Sequence, residues 1–215
     1  MTGTSAGQGH DWAERRLRVT MAFDDAMVGS STSLFAFLST LLQRDPDALG
    51  HAQRVGTMAR HIAEELGVKG SEQSDVLHAG WLHDLGKFIM PVAPPASGAI
   101  EDAADVLRWT EQLLAATDIM RRVPFLRGAA ALVLASRECM DGTGYPYHLH
   151  GSSIALGARI LNVADTCDAL ASLCVSLGVD RQAAHVELVR YAGSRFDPDV
   201  VAACLRCVDE AAPTC

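Results

Sequence analysis

Side chains able to bind a metal lie at separate places along this sequence. His83 and Asp84 are adjacent, His51 lies in an earlier segment of helical spacing, and Asp165 lies in a late apolar segment. Imidazole and carboxylate ligands together suit a divalent transition metal such as iron, manganese or zinc. Such an ion with an open coordination position polarises phosphoryl oxygens, and Lys87 adds a cation that could pair with a phosphate. The pattern therefore predicts a metal site suited to phosphate chemistry.

Each of these residues also has a simpler interpretation. A single histidine on a helix is usually packed or solvated, and an adjacent His-Asp pair often arises by chance. Asp84 and Asp165 weigh against that interpretation because both lie inside apolar segments. Charges buried in such surroundings are costly unless they are paired or bound to a metal. The residues alone leave both interpretations open.

The elements that must position these side chains are helices. Apolar residues recur at helical spacing from Asp47 until Gly67, which ends the first helix. Pro91 to Gly98 is rich in proline and glycine and is predicted to be a loop. The further helices predicted by spacing and by their start and stop signals are Val76 to Leu85 (ended by Gly86), Asp102 to Met120, Phe125 to Glu138, Ile154 to Leu173, and one that begins at Pro198. The sequence thus predicts one all-α domain of about seven helices.

Composition narrows the class of partner. The chain has 215 residues, 49% of them hydrophobic, and a formal net charge of -8. An acidic chain repels nucleic-acid polymers, although a small phosphorylated ligand held by a cation is compatible with that charge. No apolar run reaches the ~20 residues of a membrane span, and there is no signal-peptide pattern. We therefore expect a cytoplasmic protein with reduced cysteines, and we interpret Cys204 and Cys207 as core residues rather than zinc ligands.

Four motifs and a C-terminal signature then occur in a specific order. The motifs are His51-Ala-Gln-Arg-Val55, Leu82-His-Asp-Leu-Gly-Lys87, Asp141-Gly-Thr-Gly-Tyr-Pro146 and Val163-Ala-Asp-Thr-Cys-Asp-Ala-Leu170, followed by Phe196-Asp-Pro198. In this order and spacing the chain resembles the HD-GYP family over about residues 33–205. The resemblance implies a single HD-type helical domain at 33–215, with residues 1–32 as a short N-terminal helical extension. It also implies relatives that hydrolyse cyclic di-GMP at a centre of two or three metals.

The resemblance assigns roles to individual residues. His51, His83, Asp84 and Asp165 match the ligands of the first metal, and Asp84 matches the ligand that bridges to a second metal. Lys87 matches a lysine that contacts phosphate, so that Asp84 and Lys87 are the candidate catalytic residues. The loop beside the substrate is matched by Gly144, Tyr145 and Pro146.

The chain departs from the family at the positions of the second-metal ligands. The family supplies three further histidines, yet no histidine lies between His83 and His148. Ser136 and Arg137 stand where two adjacent histidines are expected before Glu138, and Gln112, or alternatively Trp109 or Glu111, stands where the third is expected. Arg137 cannot bind a metal, and we expect it to point into the pocket and pair with Asp84 or with a phosphate.

Other residues could compensate in part. His148 and His150 follow the Gly-Tyr-Pro segment, and Asp47 lies one turn before His51, where some members use an acidic residue for a third metal. Exposed loop histidines and a helix-capping aspartate are the simpler interpretations. The family's Arg-Pro-Tyr-Arg type segment after the Asp-Ala-Leu motif is replaced here by Ser172-Leu-Cys-Val-Ser-Leu-Gly178. This replacement weakens the case for cyclic di-GMP recognition.

Three functional hypotheses follow from these observations. The first is a degenerate HD-GYP domain with weak or no cyclic di-GMP hydrolysis, which acts by binding a nucleotide or a protein partner. The second is a hydrolase with one divalent metal that acts on a smaller nucleotide or phosphate ester. The third is an active cyclic di-GMP phosphodiesterase with unusual ligands. The first two predict no more than one tightly bound metal, and the third predicts two or more.

Overall fold

The computed structural model describes residues 45–90, 103–180 and 182–211, together with Arg18, Val19, Leu34 and Phe37. These residues form eight α-helices, which we number α1 to α8. Their bounds are α1 Pro46–Glu65, α2 Ser71–Leu82, α3 Leu85–Ile89, α4 Ala103–Arg121, α5 Arg127–Leu134, α6 Leu156–Leu177, α7 Gln182–Arg190 and α8 Pro198–Ala211. Within the described part of the chain there is an isolated bridge between Ala192 and Phe196 but no β-strand. The all-α prediction is confirmed.

Local signals explain where the helix α1 begins and ends. The carboxylate of Asp45 accepts a hydrogen bond from the Ala48 backbone amide at 3.0 Å, and Pro46 occupies the first turn, where no amide hydrogen is needed. The helix ends at Glu65, and Gly67 then adopts a positive φ of 77°. The sequence therefore predicted this helix and its end correctly.

Helix bounds differ from the sequence prediction around the His83-Asp84 pair. The helix predicted to run to Leu85 ends at Leu82, and Gly86 lies inside the short helix α3 instead of closing α2. Asp84 is the residue at which the chain leaves helical geometry, with φ −98° and ψ 6°. At this turn the imidazole of His83 is hydrogen-bonded to the Gly80 carbonyl oxygen at 2.8 Å. The turn separates His83 and Asp84 from the regular helix and leaves both facing the site.

Two other predicted helices also have different bounds. The helix predicted from Phe125 to Glu138 is a 3-10 turn over Pro124–Leu126 followed by α5, which ends at Leu134. The helix predicted to end at Leu173 continues to Leu177 and closes with Gly178 in the left-handed conformation. The predicted loop at 91–98, the predicted Asp102 cap and nearly all of the 1–32 extension lie outside the described residues. The division into two segments at residue 33 stays a prediction.

Helices α1 and α2 touch through their backbones. A Cβ atom added to Gly80 would lie 2.4 Å from the Gly56 Cα atom, so no side chain fits between the helices at this crossing. His51 lies on α1 before this contact, and His83 follows α2 after it. The close crossing therefore brings the two histidines together.

The hydrophobic core surrounds this crossing. Helix α6 packs against α1 and α2, and α8 closes the core over α1 and α6. In contrast to the sequence expectation, α6 is, among the described residues, long and apolar enough to cross a membrane; a core helix passes the same test of length and composition, and 44% of the most apolar window of α6 is buried. The largest core side chains without solvent contact are Leu34, Ile62, Leu82, Ile89, Ile119, Met120, Leu126, Ile154, Ile160, Leu161 and Leu188.

Candidate metal centre

Three ligand atoms from three segments of the chain form a nearly equilateral triangle. His51 Nε2 and His83 Nε2 are 3.2 Å apart, and Asp165 Oδ1 lies 3.3 Å from the first and 3.4 Å from the second. A tetrahedral ion with ligands at ~2.0–2.1 Å separates them by ~3.3–3.4 Å. Among the described residues, this is the group of histidine, cysteine and acidic side chains compact enough to hold a metal ion. The three residues therefore fit one divalent ion.

Both imidazoles present the nitrogen that a metal requires. His83 Nδ1 lies 2.8 Å from the Gly80 carbonyl oxygen, an acceptor, so this nitrogen carries the hydrogen. His51 Nδ1 lies 2.8 Å from Asp168 Oδ2, which fixes the same tautomer. In each ring the Nε2 lone pair is left facing the triangle, as expected of metal-binding histidines whose other nitrogen is hydrogen-bonded.

The pKa values of these groups are strongly shifted. Hydrogen bonds to Asp165 and then to Asp168 raise the pKa of His51 to about 9. Burial favours neutral His83, yet Asp84 and Asp165 outweigh it and raise its pKa. Burial likewise favours neutral Asp165, but Arg137 and His83 hold its pKa well below the usual range. Without a metal, the surrounding carboxylates thus favour the protonated form of both imidazoles, and metal binding would displace a proton from any ring that carries one.

Asp84 lies at the edge of the triangle. Its Oδ1 is 3.5 Å from His83 Nε2, and its Oδ2 is 3.9 Å from His51 Nε2. Lys87, one turn later, donates to Asp84 Oδ2 at 2.6 Å. Burial tends to raise the pKa of Asp84, but His83 and Lys87 lower it, so this carboxylate is ionised. The structure thus brings Asp84 and Lys87 to the predicted site, with Asp84 drawn toward the lysine.

Arg137 enters the site from the segment after α5. Its Nη1 donates to Asp165 Oδ2 at 2.7 Å, and its Nη2 lies 4.0 Å from Asp84 Oδ1. Only 18% of the side chain is exposed. Burial disfavours its charge, yet Asp165 and Asp84 raise the pKa of Arg137, so that it stays protonated. The guanidinium therefore points into the pocket, as predicted, but its hydrogen bond goes to Asp165, whereas the predicted partner Asp84 lies at the limit of ion-pair distance.

A pocket opens beside these charged groups. Helix α4 contributes Trp109 and Gln112 to its wall, while Glu111 is exposed. The Gln112 side chain donates to the Met90 carbonyl oxygen at 2.6 Å. Of the residues considered for the missing histidine, two therefore line the pocket and one does not, and none belongs to the compact metal-binding group.

Of the predicted loop residues Gly144, Tyr145 and Pro146, Tyr145 lines the pocket and the other two do not. The Tyr145 amide donates to the Arg137 carbonyl oxygen at 3.2 Å, and its bond to Pro146 is cis. A Cβ atom on Gly144 would lie 2.4 Å from the Glu138 Cα atom, so glycine permits this close approach. Buried Glu138 accepts from the amides of Tyr147 and Leu149 at 2.7 and 2.9 Å. This carboxylate ties the loop to the segment that carries Arg137.

Three candidate extra ligands lie elsewhere. Asp47 on α1 is exposed, and His148 and His150 are exposed in the loop. None of them joins the compact metal-binding group of the described residues. Their proposed role in compensating for missing ligands gains no support from these positions.

Sequence analysis did not identify Arg54 and Asp168 as site residues. Asp168 holds His51, and Arg54 holds Asp168 by two hydrogen bonds of 2.6 and 3.0 Å. Each follows a predicted ligand by three residues on the same helix, a spacing that places both on one face. That spacing was the signal in the sequence that could have found them.

Comparison with known proteins agrees with this architecture. The family model described as HD domain matches residues 37–200. The response regulator RpfG of Xanthomonas campestris, a cyclic di-GMP phosphodiesterase, is 32% identical over 166 residues, which cover 76% of this chain and 44% of the relative. The 3'3'-cGAMP-specific phosphodiesterase 3 of Vibrio cholerae is 32% identical over 149 residues, or 64% of this chain and 30% of the relative. The chain thus spans less than half the length of these relatives.

Solved structures give the same fold. A cyclic GMP-AMP specific phosphodiesterase of V. cholerae (V-cGAP3) superposes with a TM-score of 0.62 and 20% identity, covering 82% of this chain and 48% of the other. Bd1817 of Bdellovibrio bacteriovorus, an HDG"Y"P protein, superposes with a TM-score of 0.60 and 14% identity, covering 93% of this chain and 64% of the other. Given that the HD domain model matches residues 37–200, the chain belongs to the HD domain family.

Proposed function

We propose that this chain is a one-metal HD-GYP-type domain that binds a phosphate-bearing ligand and hydrolyses cyclic di-GMP weakly or not at all. Its role is then mainly regulatory, through binding of a cyclic dinucleotide or smaller phosphate ester and through a protein partner. The observation that carries the proposal is the position of Arg137, which lies 2.7 Å from Asp165 and 4.0 Å from Asp84.

Arg137 opposes a second metal beside Asp84. Arginine has no lone pair for a metal, and its guanidinium here keeps its proton. Like unit charges 4 Å apart repel by ~4 kcal/mol at an effective dielectric constant of ~20, and a divalent ion doubles that figure. The histidines that could offset this repulsion are missing from the sequence between His83 and His148. A single ion in the His51–His83–Asp165 triangle meets less of this repulsion and has three ligands to offset it.

The charges of the site favour an anionic ligand. The carboxylates of Asp84, Asp165 and Asp168 are balanced by Lys87, Arg137 and Arg54. When the histidines are neutral metal ligands, a divalent ion leaves the site with two excess positive charges. A phosphate ester neutralises that excess, and a bound cation dominates such a local field.

Separate groups of residues would bind the metal ion, the phosphate and the rest of the ligand. His51, His83 and Asp165, with Asp84 beside them, would hold the ion, which supplies Lewis-acid polarisation of a phosphoryl oxygen and an acidified water molecule. Arg137 and Lys87 would pair with the remaining phosphate oxygens. The walls formed by Trp109, Gln112 and Tyr145 would orient the rest of the ligand and limit access of water.

A second candidate function is hydrolysis of a smaller phosphate ester with the same single metal. The observation in its favour is that the three-ligand triangle is complete and that Lys87, 47% exposed, stands at the open side of the site. This hydrolase would use the same residues, with Lys87 stabilising charge on the phosphate as it develops.

The test combines metal analysis with turnover. Full-length protein is loaded with Mn²⁺, Fe²⁺ or Zn²⁺, its metal content per chain is measured, and it is incubated with cyclic di-GMP and with simple phosphate esters. The proposal expects one metal and no or slow cyclic di-GMP turnover. His83→Ala should lose the metal, and the control His61→Ala, an exposed histidine on α1, should keep it.

The outcomes separate the three hypotheses. One metal with binding of cyclic di-GMP but no turnover of any ester supports the regulatory role. One metal with turnover of a simple ester supports the second candidate. Two or more tightly bound metals, with cyclic di-GMP turnover near ~1–10³ per second that is lost in His83→Ala, would refute the proposal and establish an active cyclic di-GMP phosphodiesterase.

A further inference from the structure

Behind the metal-facing side of His51 lies a second layer of charged residues. Asp168 Oδ2 contacts His51 Nδ1 at 2.8 Å, and only 6% of the Asp168 side chain is exposed. Arg54 donates from Nε to Asp168 Oδ1 at 2.6 Å and from Nη2 to Oδ2 at 3.0 Å. The buried carboxylate of Asp168 therefore accepts all of these hydrogen bonds from residues of α1.

The two layers have the same construction. His51 and Arg54 are three residues apart on α1, and Asp165 and Asp168 are three residues apart on α6. Residues at this spacing lie on one helix face, so each helix presents one residue to the metal triangle and one to the layer behind it. The inner pair is His51 with Asp165, and the outer pair is Arg54 with Asp168.

We infer that Asp168 and Arg54 are positioning residues that set the metal affinity of the site by holding the His51 ring with Nε2 toward the triangle. The inference rests on the proposed metal site and extends it to residues that do not touch the metal. Asp168 orients the imidazole directly. Arg54 acts through Asp168, because its planar guanidinium fixes both carboxylate oxygens at once.

The space around Arg54 suits this role. A Cβ atom on Gly50 would lie 3.1 Å from Arg54 Nη1, so the glycine leaves room for the guanidinium to lie along α1. Hydrogen bonding from His51 and Arg54 outweighs burial and lowers the pKa of Asp168, which keeps the acceptor ionised. Arg54 is nevertheless 53% exposed, so its removal leaves little unfilled space.

A simple tie between two helices is the alternative explanation of the Arg54–Asp168 pair. The chain contains a matched pair that can serve as the control. Arg206 Nε donates to Glu65 Oε1 at 2.7 Å, with the arginine 54% exposed, and it joins α8 to α1. This second pair has a similar Nε contact and a similar arginine exposure, but it has a single hydrogen bond, its carboxylate is 40% exposed, and it contacts no histidine of the site.

The experiment measures the dissociation constant for Co²⁺, and its visible absorption spectrum, on the full chain. The variants are Asp168→Asn, Arg54→Ala and their combination, with Glu65→Gln and Arg206→Ala as controls. Substitution of such outer residues typically weakens metal binding ~10–100-fold. We expect a loss in this range for Asp168→Asn, a smaller loss for Arg54→Ala, partial rescue by Arg54→Lys, and less than twofold change in the controls.

A double-mutant cycle tests whether Arg54 acts through Asp168. If it does, adding Arg54→Ala to Asp168→Asn weakens Co²⁺ binding no further, and both single variants change the absorption spectrum in the same way. Unchanged Co²⁺ affinity in Asp168→Asn and Arg54→Ala, with only the melting temperature of the metal-free protein lowered, would overturn the inference. Should Asp168→Asn fail to fold, the half-exposed Arg54→Ala and Arg54→Lys pair decides the question.

Failure of this inference is distinguishable from failure of the proposed function. Wild-type protein that binds one Co²⁺ while the outer variants bind it equally well refutes the positioning role alone. Wild-type protein that binds no Co²⁺ refutes the proposed metal site and this inference together.

Discussion

Replacement of Arg137 by methionine gives the sharpest test of the charge arrangement. Methionine keeps an unbranched side chain of similar reach but removes the positive charge and the hydrogen bond to Asp165 Oδ2. We expect opposite effects on two quantities. The metal-free protein becomes less stable, because Asp165 loses a buried partner, whereas the affinity for a divalent metal increases.

Two opposing effects decide whether Arg137→Met binds a divalent metal more tightly or more weakly. Breaking a buried ion pair by removing one partner costs up to ~3–5 kcal/mol of unfolding free energy. For the metal, a guanidinium on the far side of the Asp165 carboxylate lies ~6 Å from the ion, and at a dielectric constant of ~20 it repels a divalent charge by ~5 kcal/mol. Lost orientation of Asp165 opposes this gain by ~1.4–2.7 kcal/mol, the equivalent of ~10–100-fold. The net expectation is metal binding at least ~10-fold tighter.

Two measurements check this prediction. Competition with a chelating dye gives the metal dissociation constant, and thermal unfolding in excess chelator gives the stability of the metal-free protein. The matched control is Arg159→Met, because Arg159 is 20% exposed and pairs with Asp197, which is 7% exposed, compared with 18% and 13% for Arg137 and Asp165. The control should lose stability and keep its metal affinity.

Unchanged or weaker metal binding in Arg137→Met would refute the charge argument. It would mean that Arg137 serves to orient Asp165 and that its charge does not exclude cations. Binding of a second divalent ion by Arg137→Met, but not by the wild type, would support the argument most directly.

Three further predictions concern the same centre and its surroundings. Chelation of the metal-loaded wild type should lower the melting temperature measured by differential scanning fluorimetry, because a ligand at 100 times its dissociation constant adds ~2.7 kcal/mol. Glu138→Gln should cost ~1.5–3 kcal/mol in denaturant unfolding, since its carboxylate accepts from the amides of Tyr147 and Leu149, and it should leave the metal content at one. Ile62→Ala, on α1 and 0% exposed, should cost ~2–5 kcal/mol and leave the metal dissociation constant unchanged; a weakened metal site would contradict it.

The sequence predicted the presence of the helices better than the residues at which they begin and end. The helical spacing between Asp47 and Gly67 and the helix start at Pro198 are local signals, and both helices formed where expected. The end of α2 was placed three residues too late, because the helix ends at a side-chain hydrogen bond from His83 to the Gly80 carbonyl oxygen and not at a glycine or proline. Such a contact leaves no trace in hydrophobic periodicity.

The candidate site was likewise predicted in part: its ligands were identified, but their geometry and supporting residues were not. Ordered motifs placed His51, His83 and Asp165 together because each motif carries its ligand at a fixed position. The distances between ligand atoms depend on three helices meeting, which spacing along the chain does not give. Arg54 and Asp168 were missed because their role depends on the hydrogen bonds that join them to each other and to His51 after folding, although their three-residue offset from the ligands was visible.

The backbone contact between Gly56 and Gly80 has a consequence for how this sequence can diverge. A Cβ atom at Gly80 would lie 2.4 Å from the Gly56 Cα atom, and one at Gly56 would lie 2.4 Å from the Trp81 ring, so backbone contact sets the spacing of α1 and α2 at the crossing. A residue larger than glycine at either position would push the two helices apart, and His51 and His83 with them. Divergence of this sequence is therefore expected to be more constrained at Gly56 and Gly80 than at core positions away from the crossing.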